Sequence, residues 1–184
     1  MGGNMGRKTI TIKVERCLGC KSCELACALA HSSARDFEEM MTKGEKPGYR
    51  VSVEAWGPRA VPLHCNHCED APCMMACPTG AIYRESDDGP VLFNEERCIG
   101  CKMCIQACPF GVIAMRADGK GVLKCDLCIQ RLRQGQRPAC VAACPTGALE
   151  FTDESEAGRA KRRKSAERLV RAAEAEASAM AGDS

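Results

Sequence analysis

Sixteen cysteines in a chain of 184 residues fall into four groups of four, and this constrains the fold more than any other feature. Cys17, Cys20, Cys23 and Cys27 are spaced C-x2-C-x2-C-x3-C; Cys98, Cys101, Cys104 and Cys108 repeat the spacing and add Pro109. Cys65, Cys68, Cys73 and Cys77 read C-x2-C-x4-C-x3-C before Pro78, and Cys125, Cys128, Cys140 and Cys144 read C-x2-C-x11-C-x3-C before Pro145. No thiol is left over. An even cysteine count leaves disulfides or metal, and the spacing chooses metal. Three thiolates on a tight turn converge on one side of a cubane, while the fourth, at a helical turn three residues on, points elsewhere. Structural disulfides are disfavoured by C-x2-C pairs and by a reducing compartment. Tetrahedral zinc also uses C-x2-C pairs, but it needs neither a third Cys two residues later nor a Cys-Pro step. The chemistry read from the spacing is four [4Fe–4S] clusters, with a structural all-cysteine zinc-binding interaction module as the alternative. Aromatic residues make up only 4% of the chain, so sulfur-bound metal must supply stability that a thin core cannot.

The C-x2-C-x2-C-x3-C-P run is the bacterial ferredoxin pattern, in which the fourth Cys ligates the partner cluster. The chain also repeats itself. ERCLGCKSC (15–23) matches ERCIGCKMC (96–104) at seven of nine positions, and CMMACPTGAI, CIQACPFGVI and CVAACPTGAL share C-x2-A-C-P-x-G. Such repetition means duplicated units. Strands are expected at Thr9–Glu15, Tyr49–Ala55, Ala81–Arg84, Val91–Phe93, Val112–Met115, Val122–Lys124 and Ala148–Phe151. Hairpin turns are expected at Asp88-Gly89 and Asp118-Gly119, and a short helix at Asp36–Thr42. The fold class is α+β: two ferredoxin-like modules, one nested in the other, plus a C-terminal helix. Residues 8–57 and 116–152 form the first module (quartets one and four), 58–115 the second (quartets two and three), and 153–184 the tail.

The formal charge of +2 misleads. An oxidised cubane with four thiolates carries about −2, so four clusters bring the loaded chain to about −6, a field that favours cationic partner patches. Lys21 and Lys102, inside the matching motifs, either raise local potentials or face solvent. His64 and His67 flank the start of the second quartet and are read as hydrogen-bonding groups, not ligands; Trp56 is expected to pack, and Glu69-Asp70 to form a turn. Residues 129–139, with Arg131, Arg133 and Arg137, read as a solvated loop or a docking patch. There is no nucleophile–base pair, P-loop or G-x-G-x-x-G, which argues for a carrier and not an enzyme. In the tail, Asp153 and Glu156 suggest a capping box. Ala166, Leu169, Val170, Ala173, Ala177 and Met180 form an apolar stripe, read as a helix for partner docking or self-association. The basic run without interleaved aromatics gives no nucleic-acid reading. No apolar run approaches the ~18 residues of a membrane span. With no h-region or twin arginine in view, a cytoplasmic location is expected.

CLGCKSCELACALAH, VPLHCNHCEDAPCMMACPTGAI and CDLCIQRLRQGQRPACVAACPTGAL resemble the four-cluster iron–sulfur subunits of the dimethyl sulfoxide reductase type, over about residues 8–152. The likeness is to a small soluble subgroup that serves carbon monoxide dehydrogenase, formate dehydrogenases, hydrogenases and tungsten aldehyde oxidoreductases. The resemblance implies crossed ligation. One cluster takes Cys17, Cys20, Cys23 and Cys144; a second Cys125, Cys128, Cys140 and Cys27; a third Cys65, Cys68, Cys73 and Cys108; a fourth Cys98, Cys101, Cys104 and Cys77. It further implies a conductive line of clusters relaying single electrons between a redox catalytic subunit and an acceptor, with tungsten aldehyde oxidoreductase or carbon monoxide dehydrogenase favoured as partner. Self-association through the tail would extend that line into a filament. A free polyferredoxin is the remaining alternative.

Overall fold

The computed structural model describes residues 7–45 and 48–181. Its elements are short. Strands β1 (Lys8–Ile12), β2 (Val51–Trp56), β3 (Arg59–His64), β4 (Ile82–Tyr83), β5 (Leu92–Phe93), β6 (Ala114–Met115), β7 (Val122–Leu123) and β8 (Leu149–Asp153) form four two-stranded ribbons. These pair β1 with β8, β2 with β3, β4 with β5, and β6 with β7. The helices are α1 (Ser22–Ala30), α2 (Phe37–Thr42), α3 (Pro72–Met75), α4 (Met103–Ala107), α5 (Ile129–Arg133), α6 (Ala139–Ala142) and α7 (Glu154–Ala181). The mixed content is α+β, as expected.

The sequence repeats become repeated backbone. After each Cys-Pro-x-Gly, the glycine takes a left-handed turn, with φ of 63°, 62° and 63° at Gly80, Gly111 and Gly147. Its N–H closes on the cysteine carbonyl three residues back, and the chain enters β4, β6 or β8. Only glycine adopts this φ without a steric penalty. The second recurrence lies inside the C-x2-C loops, where the residue before the second Cys always has positive φ: Gly19, His67, Gly100 and Leu127. Two of these are not glycine. A histidine and a leucine held there store strain that the surrounding structure must over-determine, and such outliers gather at functional sites.

The two expected hairpins are present. Ile82 pairs with Phe93 across the turn that holds Asp88-Gly89, and Ala114 pairs with Leu123 across Asp118-Gly119. Asp36 caps α2, accepting the Glu39 N–H at 2.8 Å. Other expectations need correction. The first strand stops at Ile12, because Val14–Arg16 turns into a 3-10 helix that delivers Cys17. Strand β3 escaped the sequence reading because Pro62 lies mid-run, and proline weakens a strand signal; here it faces Val53 in a two-stranded ribbon. Trp56 does not pack. It ends β2 at the hairpin turn and is 83% exposed. The supposed loop 129–139 begins with the single-turn helix α5, ended by Gly135 at φ 74°.

Residues Ile10–Phe151 form one compact unit with two apolar cores. One gathers Ile10, Cys23, Cys27, Val51, Leu127, Cys140, Val141 and Leu149. The other gathers Ala71, Cys73, Ile82, Val91, Cys104, Ile113 and Val122. Segments from both ends of the unit thus meet in the first core, and the stretch between them builds the second. Strand β7 pairs with β6 and Val122 joins the second core, beyond the residue 115 boundary drawn from sequence. In the other unit, Glu154 donates its N–H to the Arg7 carbonyl and pairs with its side chain at 3.4 Å. Asp153 accepts the Ser155 N–H, and the Glu156 N–H also lowers its carboxyl, which is one half of the expected capping box; the other half is missing, because the Glu156 side chain takes the Thr152 hydroxyl. Leu169 and Val170 of the tail stripe are exposed; the side chains of Ala173, Ala177 and Met180 lie outside the described residues.

Leu149→Ala in the first core is expected to cost about 2–5 kcal/mol, whereas Leu169→Ala on exposed α7 stays within about 0.5 kcal/mol. Denaturant unfolding followed by circular dichroism checks this; equal effects would contradict the core placement.

Candidate metal centres

The sixteen cysteines are all free of disulfides, and twelve of them converge on three small cavities. One cavity is lined by Cys17, Cys20, Cys23 and Cys144. Another is lined by Cys65, Cys68, Cys73 and Cys108. A third is lined by Cys77, Cys98, Cys101 and Cys104. In each, three cysteines of one quartet meet the last cysteine of another. The walls are otherwise mostly apolar: Val53, Pro62 and Leu149 in the first, Val91, Phe110 and Ile113 in the second, Ile82, Phe93 and Val122 in the third. Cys27, Cys125, Cys128 and Cys140 are all buried. Helix α1 brings Cys27 against α6, which carries Cys140, and both belong to the first core. The Cys140 thiol feels the charge of Cys27, Cys128 and Cys23, and the Cys125 thiol that of Cys65 and then Cys140.

Four soft sulfurs around a compact, mostly apolar hollow form the donor set that iron–sulfur clusters use. The electrostatics agree. Burial pushes the Cys23 thiol up to about 11, and pushes Cys140 and Cys125 further still. Thiolates crowded into low dielectric repel each other and resist ionisation, so a cationic iron core is the compensation such a site needs. Elsewhere hydrogen bonds to sulfur outweigh burial. Ser22 lowers Cys20. Burial raises Cys77 and Cys144, but N–H groups and the hydroxyls of Thr79 and Thr146 bring both below the ordinary value. Those threonines occupy the same place in two Cys-Pro-Thr-Gly repeats, 3.7 and 3.8 Å from sulfur; Phe110 stands there after Cys108. The strained loops also aim amides at sulfur, with His67 N–H and Leu127 N–H donating to Cys65 and Cys125 at 3.4 Å. Arg50 N–H donates to Cys27 at 3.3 Å.

Several residues round the centres were not singled out from sequence. His31 Nε2 lies 3.1 Å from Asp126 and Nδ1 lies 2.7 Å from the Cys27 carbonyl. With both nitrogens donating, the ring is an imidazolium. Burial opposes that charge, but the bonds to Asp126 and Cys27 hold its pKa up to about 9. Asp126 also pairs with Arg50 at 3.0 Å and accepts the Cys128 N–H at 2.9 Å. Burial raises its carboxyl, yet His31 and Arg50 carry it well below the usual range. His31, Asp126 and Cys128 lie close enough to hold an ion, but the carboxylate is already committed to two cations and an amide. Glu24, also buried, accepts the Val53 N–H at 2.6 Å and ties α1 to β2. Arg84 donates to the carbonyls of His67 and Cys68. No spacing marks these polar residues, because each finds its partner through the tertiary fold.

Lys21 is 60% exposed and pairs with Glu24 at 3.8 Å, and Lys102 is exposed; both take left-handed backbone at the start of a helix. His64 donates from Nδ1 to the Cys65 carbonyl, and His67 Nδ1 accepts the Val91 N–H, so the bonds seen here run to backbone. Glu69 and Asp70 form an exposed turn, as expected. Arg133 makes a salt bridge to Glu85 at 2.8 Å.

These centres define an iron–sulfur protein, and comparison with known proteins gives its family. Residues 58–154 match the 4Fe-4S dicluster domain and residues 14–30 a 4Fe-4S binding domain; the chain belongs to the 4Fe-4S dicluster family. It is 44% identical over 151 residues to an "Iron-sulfur protein" of Rhodospirillum rubrum, covering 76% of this chain and 78% of that one. It is 41% identical to the "Thiosulfate reductase electron transfer subunit PhsB" of Salmonella typhi, with 77% and 74% covered. To one of the polypeptides of the anaerobic dimethyl sulfoxide reductase of Haemophilus influenzae the identity is 39%, with 74% and 69% covered. The chain is an iron–sulfur electron-transfer protein. Among the described residues, no helix is long and apolar enough to cross a membrane.

Because the buried thiols of Cys23 and Cys140 hold their protons to high pH, cluster loading must expel protons. Reconstitution of apoprotein with ferrous iron and sulfide is expected to improve as pH rises toward the ordinary cysteine value of about 8.5. Iron incorporation independent of pH would contradict it.

Proposed function

We propose that this chain is the electron-transfer subunit of an oxidoreductase complex, holding four [4Fe–4S] clusters and relaying single electrons between a redox catalytic subunit and an electron-accepting subunit. The observation that carries the reading is the composition of the cavities, each shared between three cysteines of one quartet and one from another. On this reading the ligand sets are Cys17, Cys20, Cys23 with Cys144; Cys125, Cys128, Cys140 with Cys27; Cys65, Cys68, Cys73 with Cys108; and Cys98, Cys101, Cys104 with Cys77. The bound clusters supply one-electron redox chemistry. The chain's own residues fix the sulfurs, exclude water with apolar walls and set local charge. Two sets include an exposed cysteine, Cys20 and Cys101, which gives partners a place of close approach.

The fold is read as two ferredoxin-like modules, quartets two and three nested within quartets one and four; the separate apolar cores support this. Helix α7, with Leu169 and Val170 exposed, is the element proposed for docking or self-association. The family resemblance of the sequence implies a tungsten aldehyde oxidoreductase or carbon monoxide dehydrogenase as catalytic partner, while the names of two relatives favour a thiosulfate or dimethyl sulfoxide reductase. Sixteen free thiols suit a reducing cytoplasm. Affinity capture from the native host with peptide identification separates these partners; recovery of the chain alone would favour a free polyferredoxin.

Crossed ligation makes a specific prediction. Cys108→Ala and Cys65→Ala should remove the same paramagnetic resonance signal, and Cys98→Ala a different one. If Cys108→Ala instead matches Cys98→Ala, the fourth cysteine serves its own quartet and the ligand sets are wrong. Anaerobically purified protein should be brown with about sixteen irons per chain; colourless protein with zinc would end the reading.

A further inference from the structure

Lys124 is 2% exposed, among the most deeply buried side chains of the protein. It follows β7 and precedes Cys125. Its Nζ donates to the Val91 carbonyl at 2.5 Å and to the Cys125 carbonyl at 3.0 Å. Val91 lines the cavity of Cys65, Cys68, Cys73 and Cys108. One ammonium therefore ties the wall of that cavity to a cysteine of the buried set Cys27, Cys125, Cys128 and Cys140. No carboxylate among the described residues lies within ion-pair distance of it. Its charge acts on thiols of both sets, Cys73 and Cys125.

A cation taken out of water without a counter-charge is costly. The anions available to Lys124 are the two cysteine sets it lies between, each carrying about −2 with its oxidised cluster. We infer that Lys124 is a shared counter-charge for these two centres and raises their reduction potentials relative to the other two. The direction follows from charge alone. Adding an electron makes a centre more negative, and a fixed cation held close in low dielectric stabilises that reduced form. Lys21 and Lys102 cannot act equally, since both are exposed and water screens them. Lys124 is a positioning residue: it touches the Cys125 carbonyl and the Val91 wall, and its charge acts on the ligand sets from there.

The inference rests on the proposed ligand sets, and the experiment separates the two. Four-cluster loading is first checked by iron analysis of the wild-type protein. Reductive titration followed by paramagnetic resonance then compares wild type with Lys124→Gln, which keeps a hydrogen-bond donor and loses the charge, and with Lys124→Arg, which keeps the charge. In Lys124→Gln two of the four midpoints should fall, each by of the order of tenfold in reduced-to-oxidised ratio, about 59 mV for a one-electron couple. The other two should stay in place, and Lys124→Arg should restore the pair. With four clusters loaded, unmoved midpoints, a uniform shift of all four, or an equal fall in Lys124→Arg overturns the inference and leaves the ligand sets standing. A wild-type protein with fewer than four clusters overturns both. If Lys124→Gln fails to load, Lys124→Met is added. Loss of loading in both neutral variants while Lys124→Arg loads supports the counter-charge, and loss in all three overturns it.

Discussion

Buried sulfur is the constraint from which the rest of this structure follows. Cys23, Cys27 and Cys140 belong to one apolar core, Cys73 and Cys104 to the other. With so few aromatic residues, the rest of each core is built mainly from aliphatic side chains. Packed thiols alone would behave as small hydrophobes, but here they face one another in groups across small hollows. That arrangement makes stability conditional on what the sulfurs bind, since a metal held only by the folded chain contributes its binding energy to folding.

The backbone serves the same end. Each C-x2-C loop passes through left-handed geometry at its third residue, and each Cys-Pro-x-Gly exit does so at its glycine. The loop turns amides toward sulfur; the exit redirects the chain into a strand. Where glycine is missing, at His67 and Leu127, the same geometry persists at a steric cost, which indicates that the ligand loop and not local preference dictates the conformation. The polar residues around the centres then add graded charge. Thr79 and Thr146 reach sulfur in two places, the imidazolium of His31 and the Asp126–Arg50 pair flank the buried set, and Lys124 lies between two sets.

Much of this was legible in the sequence because the ligands are close in the chain and the repeats reveal equivalent turns. The hairpins at Asp88-Gly89 and Asp118-Gly119 and the short helix near Asp36–Thr42 follow from local chemistry alone. What was missed depends on distance along the chain. Strand β3 is hidden by Pro62 and exists because β2 pairs with it. Trp56, expected to pack, ends that ribbon in solvent. His31, Arg50 and Asp126 come from three separate segments, so no spacing connects them. Lys124 looks like any strand-end lysine until the Val91 carbonyl is brought to it.

The most direct test of the account is an iron-edge anomalous difference map from crystals of anaerobically prepared protein. Four peaks should appear, each seated among three cysteines of one quartet and one of another, with Cys144, Cys108, Cys77 and Cys27 as the exchanged ligands. Fewer peaks, or a peak held by Cys98, Cys101, Cys104 and Cys108 together, would contradict it.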